Sequence, residues 1–297
     1  MKKNKKNITQ GKQINFMFFL FCISVYFLGI SNASAFSSNY TKYISYSDFG
    51  RGEPLVLLHA FPTDKNLWLP QHQGLKQYFR VISLDLWGFG YSEGTTGSAV
   101  TMEEYADEVA QLLDQLSIKK AIIGGTSMGG YIALAFLAKY PDRVNGLILS
   151  NSQAITDSPE MKKSANSLAS DVLTDGTQKF ANDFINKALS AEAPQQIRLF
   201  LQNILLDQTP FGLASALRGM SIRQDFSNVL ATTSIPMLII TSDKDTVIPP
   251  QQSANMHALA KNSKLVVISD AGHLSNLEQP EQWNKAVIEL FGQKAQA

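Results

Sequence analysis

The stretch AIIGGTSMGGYIALAFLAKY, residues 121–140, sets Ser127 among four glycines, between a short apolar run and a helical pattern. Gly125, Ser127 and Gly129 give the spacing G-x-S-x-G, which suits a tight strand-to-helix turn that lifts a hydroxyl clear of a sheet in a strained backbone conformation. Strand and helix pass so closely there that positions two residues either side have little room for side chains, and glycine meets that demand. The helix start also directs backbone N–H groups, that of Met128 among them, toward negative charge forming beside the serine. A serine hydroxyl is a poor nucleophile without a base. Four histidines are available: His59 at the end of an apolar run, His72 in a polar loop segment, His257 in a helical pattern, and His273 in SDAGHLSNLEQP. His273 is the expected base, because it closes the last apolar run where a loop could bring it to Ser127; His257 is the alternative. The base in turn needs an acid to fix its tautomer and stabilise its cation. Asp243 and Asp245 stand in TSDKDTVIPP, and Asp270 is a third option, only three residues before His273 and poorly placed to face its ring.

Those residues need a frame that gathers loops at one edge. Apolar runs at 54–60, 79–88, 121–125, 144–152, 236–243 and 264–273 are bounded by turn residues and read as strands. Near-continuous apolar strands suit a parallel sheet covered on both faces. Between them, TMEEYADEVAQLLDQLSIKK reads as a helix with a capping box formed by Thr101 and Glu104. Residues 128–140 and 277–292 also read as helices, the latter with Pro280 in its first turns. Strand alternating with helix predicts a mostly parallel, doubly wound α/β sheet. The front segment YTKYISYSDFGRGEP predicts an antiparallel hairpin at the sheet edge. The alternation breaks between about 153 and 228, where amphipathic patterns at 176–190 and 191–208 predict an inserted helical cap over the C-terminal edge of the sheet, too long for a simple crossover.

Taken together, the motifs of the chain after residue 35 resemble the α/β-hydrolase fold family, in particular esterases and lactonases with a helical cap. HAFPTD is similar to the family's oxyanion loop and DLWGFGYS to its D-x-x-G-x-G-x-S segment; GTSMGG is similar to the nucleophile turn, SDKDTVIP to the acid loop and DAGH to the histidine loop. The resemblance implies a Ser127–His273–Asp245 triad, with Asp243 left as a loop residue. It also implies an oxyanion hole made by the N–H groups of Phe61 and Met128. Two positions depart from the pattern: Ala60 and Ser242 stand where glycine is usual, and alanine resists positive φ. The implied reaction is hydrolysis of a small-molecule carboxylic ester or lactone through an acyl-enzyme. The alternatives are thioester, C–C bond or perhydrolase chemistry by the same residues, or ligand binding without catalysis.

No cofactor or metal is expected. The chain lacks H-E-x-x-H, its histidines are scattered, and DLWGFG lacks the third glycine and helix start of a dinucleotide fingerprint. Within the predicted cap, Phe180, Phe184, Ile185, Leu199, Phe200, Ile204, Leu205, Phe211 and Met220 are candidates for an acyl pocket or for the cap's own core. Arg223 reads as a salt-bridge partner of Asp225, or as structural in another way, rather than as a contact for an acidic substrate. At the front, five lysines precede the apolar INFMFFLFCISVYFLGI and then SNASA, the order of a secretory signal cleaved after Ala35. The expected mature chain, residues 36–297, is secreted or periplasmic, with membrane association only if the segment stays uncleaved. It carries a formal charge of −4 and no cysteine, Cys22 leaving with the signal. That charge gives no footprint for nucleic acid, and the chain has no disulfide framework.

Overall fold

Strand formation follows the apolar runs. In the computed structural model, which describes residues 42–292, seven strands form one sheet: β1 (Tyr46–Phe49), β2 (Glu53–Leu58), β3 (Phe79–Leu84), β4 (Ala121–Thr126), β5 (Val144–Ser150), β6 (Met237–Ser242) and β7 (Ser263–Ile268). The N-terminal segment read as an export signal lies outside the described residues. The strand order is β1-β3-β2-β4-β5-β6-β7, and every neighbouring pair is parallel except β1 with β3. The strands after β1 alternate with α1 (Leu69–Leu75), α2 (Met102–Gln115), α3 (Met128–Lys139), α9 (Pro250–Leu259) and the pair α10 (Ser275–Glu278) and α11 (Pro280–Phe291). Between β5 and β6 the chain makes α4 (Pro159–Asp175), α5 (Gln178–Ala188), α6 (Gln195–Leu206), α7 (Pro210–Ser221) and α8 (Ser227–Thr232).

Successive strand residues face opposite sides, and both sides are apolar. Leu55, Leu57, Val81, Ile122, Ile148 and Leu238 pack with Leu75 of α1 and with Trp283, Val287 and Phe291 of α11. Val56, Leu58, Ile82, Ile123, Leu149 and Ile239 pack with α2 and α3 on the other side. The helical insertion does not build a core apart from these. Ala169, Val172, Leu213 and Leu217 of α4 and α7 join the second cluster. Ala181, Ile185, Leu201 and Leu205 of α5 and α6 join the first. Because β3 lies on one side of β2 and β4 on the other, the chain leaves the carboxyl ends of β2 and β4 in opposite directions. That reversal opens a crevice between their loops.

Three local expectations are corrected. The front segment is not a hairpin: β1 pairs with β3, Tyr46 opposite Leu84 and Phe49 opposite Val81. Both edges of β2 are taken by parallel partners, so β1 pairs along the free edge of β3 instead. The runs at 79–88 and 264–273 overshoot, since β3 ends at Leu84 and β7 at Ile268. The polar residues beyond those ends bond to loops and side chains instead of to neighbouring strands. The helix expected over 277–292 is split at Gln279, with Pro280 in the first turn of α11, where its missing N–H costs nothing.

Thr101 caps α2 as expected: its hydroxyl accepts from Glu104 N–H at 3.1 Å and Glu104 accepts from Thr101 N–H at 2.7 Å. Thr101→Ala should cost about 1 kcal/mol. It should lower Tm by roughly 2–4 °C in a thermal melt, an amount typical of a chain this long.

Candidate functional site

Ser127 is the N-cap of α3 and holds φ 55°, ψ −118°, a conformation that non-glycine residues rarely adopt. The crossing of β4 and α3 imposes it. A Cβ on Gly125 would lie 2.1 Å from the carbonyl carbon of Gly129, and one on Gly129 would lie 2.1 Å from Leu58 O. The start of α3 therefore runs directly against the end of β2, and the loop that follows β2 lies beside the serine. Ser127 N–H donates to Ser150 O at 2.9 Å, while Ser127 O accepts from Ser152 Oγ at 2.9 Å and from Gly130 N–H at 2.9 Å. The N–H groups of Met128 and Phe61, the two expected oxyanion donors, bond to no described residue. Neither does the Ser127 hydroxyl.

The loop after β2 is fixed by His59. Leu86 N–H donates to its Nε2 at 3.1 Å, so the ring proton sits on Nδ1, which donates to Ala60 O at 3.0 Å. Both ring nitrogens are committed to backbone, which removes His59 as a base. Burial pushes its pKa down from 6.5 to about 4, with the Ala60 carbonyl and Asp85 opposing. Ala60 is not among the described non-glycine residues with positive φ, so alanine fits there without strain. His72 is held by Ser83 Oγ at 2.8 Å beside β3, and His257 lies exposed on α9 against Ser263.

His273 and Asp245 are brought together. His273 Nδ1 lies 3.1 and 3.0 Å from the two carboxylate oxygens, with both residues buried. The Nδ1 proton is thus shared with Asp245, and Nε2 is left to face other groups. Asp245 also accepts from Val247 N–H at 2.9 Å, from Ile248 N–H at 3.0 Å and from Asn151 Nδ2 at 2.9 Å. Burial works to raise its pKa; the His273 charge and these hydrogen bonds outweigh it, and the carboxyl is held below its ordinary value. Asp243 accepts only a long bond from Ala271 N–H at 3.4 Å, and Asp270 points at Lys244 on the surface. No hydrogen bond joins Ser127 to His273 in this structure. The two are instead held by consecutive residues at the end of β5: Ser150 and Ser152 bond the serine backbone, and Asn151 between them bonds the carboxylate.

The comparisons agree with this arrangement of elements. Residues 53–280 match the family described as the alpha/beta hydrolase fold. The chain belongs to that family. It is 34% identical to a thermophilic esterase from Thermogutta terrifontis, solved with malate bound, with a TM-score of 0.83 over 86% of this chain and 98% of that one. It is 31% identical to 3-oxoadipate enol-lactonase 1 of Acinetobacter baylyi, over 80% of this chain and 86% of the relative. The enol-lactonase from Burkholderia xenovorans superimposes with a TM-score of 0.78 at 25% identity, over 84% of this chain and 96% of that one.

The roles of two residues of this α/β hydrolase escape the motif reading. Asn151, with φ 46°, donates to Asp245 and to Ser242 Oγ at 2.7 Å, and accepts from Ser275 Oγ at 2.6 Å. Ser242, in the usual glycine position, also donates to Gly272 O at 2.5 Å, next to His273. The available signal was positional: both are polar residues at the carboxyl ends of apolar strands. Arg223 is buried and pairs with Asp157, not Asp225, while stacking over Tyr131 at 4.2 Å. Of the apolar insertion residues, Phe180 and Phe184 line a cavity of about 560 Å³ with Phe61, Val172, Leu217 and Val247. Ile185, Ile204 and Leu205 are core, and Leu199 and Phe211 are exposed.

Two outcomes follow from these contacts. Between pH 6.5 and about 4 the unfolded chain binds a proton at His59 and the folded chain does not, so acid removes up to about 3 kcal/mol through this group. In urea titrations between pH 7 and 4, wild type should therefore lose more stability than His59→Gln; equal losses would contradict the neutral clamp. Asn151→Ala strips one donor from a buried carboxylate and should cost about 2 kcal/mol in the same assay at pH 7. A cost near zero would show that water replaces the amide.

Proposed function

We propose that this chain is a serine hydrolase of carboxylic esters or lactones, working through Ser127, His273 and Asp245 with an acyl-enzyme intermediate. The observation that carries the reading is the buried Asp245–His273 pair, tied through Ser150–Ser152 to a serine on a strained strand-to-helix turn. Asp245 fixes the proton on Nδ1, so the lone pair on Nε2 is available to take the serine proton. In this reading the Ser127–His273 hydrogen bond forms when substrate arrives, as at resting sites whose catalytic hydrogen bonds are open. Ser127 Oγ attacks the carbonyl carbon, and the proton passes to His273. The unpartnered N–H groups of Phe61 and Met128 receive the oxyanion, already oriented and at no reorganisation cost. His273 then protonates the leaving alcohol, and water repeats the sequence on the acyl-enzyme.

The insertion serves in this reading as a cap whose cavity holds the acyl or alkoxy group. Part of its wall is aromatic, with Phe61 edge-on to Phe180 at 5.6 Å and Phe180 stacked on Phe184 at 5.6 Å, while Asp157, Asp171, Asp175, Asp183, Lys179 and Lys187 also line it. An aromatic or medium-length apolar group fits that aromatic wall. The similar esterase and enol-lactonases lend support to ester and lactone substrates. The first 35 residues are read as an export signal, placing the activity outside the cytoplasm.

A serine-directed phosphonate should label wild type and leave Ser127→Ala unlabelled; equal labelling of both would sink the assignment. Made in a secreting host, the adduct should have the mass of a chain starting at Phe36. Ser127→Ala and His273→Ala should each lower kcat by about 10⁶-fold on a panel of esters and lactones, and Asp245→Asn by a smaller factor of about 10⁴. A larger loss at Asp243 than at Asp245 would reassign the acid.

A further inference from the structure

Glu278, on the short helix α10, is a buried carboxylate with no cation beside it among the described residues. A buried ion of this kind is tolerable only if hydrogen-bond donors surround it. Its donors come from two segments far apart in sequence. Gly272 N–H, in the residue before His273, donates to Oε1 at 2.8 Å. Ser190, at the corner between α5 and α6, donates its N–H at 3.2 Å to Oε1 and 3.1 Å to Oε2, and its hydroxyl at 2.6 Å to Oε2.

The corner and the histidine loop are otherwise in direct backbone contact. Leu274 N–H, in the residue after His273, donates to Ala188 O at 3.1 Å. A Cβ on Gly272 would lie 2.7 Å from Ser190 N. Arg198 Nη2 holds the corner from the other side through Ser190 O at 2.6 Å. Thus the N–H groups of both residues flanking His273 are linked to the insertion: that of Leu274 directly, through Ala188 O, and that of Gly272 indirectly, through the Glu278 carboxylate that Ser190 also bonds. If the corner lifted away, Glu278 would lose three of its four hydrogen bonds and Leu274 its acceptor.

We propose that Glu278, with Ser190, is a positioning residue, and that the α5–α6 corner thereby sets the placement of His273 rather than merely roofing the site. The inference rests on the reading of His273 as general base. A base displaced by about 1 Å loses on the order of 10²-fold in rate while substrate binding survives. Glutamine keeps an acceptor for Gly272 N–H and a donor toward Ser190 Oγ, so it should restore most of what alanine removes.

The experiment compares wild type, Glu278→Ala, Glu278→Gln and Ser190→Ala on one neutral ester. It also follows the shared His273 Nδ1 proton by NMR of ¹⁵N-histidine protein without substrate. The expected result for Glu278→Ala is a kcat lower by about 10²-fold with KM within about threefold, and a shifted Nδ1–H resonance. Glu278→Gln should recover both, and Ser190→Ala should fall between. Should Glu278→Ala not fold, the ordering of wild type, Glu278→Gln and Ser190→Ala carries the test. A folded Glu278→Ala protein with a lower Tm but unchanged kcat and resonance overturns the inference. If wild type hydrolyses no ester, the proposed function fails separately, and the resonance alone decides the positioning role.

Discussion

A carboxylate withdrawn from water imposes the order on this site. Asp245 is buried, and an ionised carboxylate there is stable only if every lone pair meets a donor. The donors come from three places: two N–H groups of its own turn, the Asn151 amide at the end of β5, and the His273 ring on the loop after β7. Meeting that one electrostatic demand fixes the relation of β5, β6 and the last loop, because moving any of them leaves a charge unpaired. Ser242, bonded to both Asn151 and the carbonyl of Gly272, closes the network.

The second constraint is steric and sits across the crevice. β4 and α3 approach until Gly125 touches Gly129, and the start of α3 rests on the end of β2. The backbone of Ser127 absorbs the strain with a positive φ, stabilised by bonds from Ser150 and Ser152 on either side of Asn151. Packing forces and the buried charge thus meet in three consecutive residues. The loop after β2 joins the same arrangement through a neutral histidine that clamps Ala60 to Leu86.

The helical insertion is continuous with both faces of the domain. Its α4–α7 half extends the core on the α2–α3 side, and its α5–α6 half extends the core on the α1–α11 side. A cap with its own core could rock as a unit; one built into two cores is held at both ends. This explains how Ser190 can share a carboxylate with the histidine loop while Phe180, on the same helix pair, lines the cavity.

Residue type and spacing alone were enough to indicate the fold class, the turn around Ser127 and the cap of α2 by Thr101. These depend on local sterics and on periodicities of one element. The front strand's partner, the break at Gln279, and the roles of Asn151, Ser242 and Glu278 were not legible, nor was the pairing of Arg223 with Asp157. Asn151 and Asp245 lie 94 residues apart, and Ser190 and Glu278 lie 88 apart. No local pattern encodes such contacts. The sequence by itself determined which segments become strands and helices and where the serine-bearing strand-to-helix turn forms. Only the tertiary structure decided which polar groups share a buried carboxylate, because desolvation acts on whatever the folded chain brings together in space.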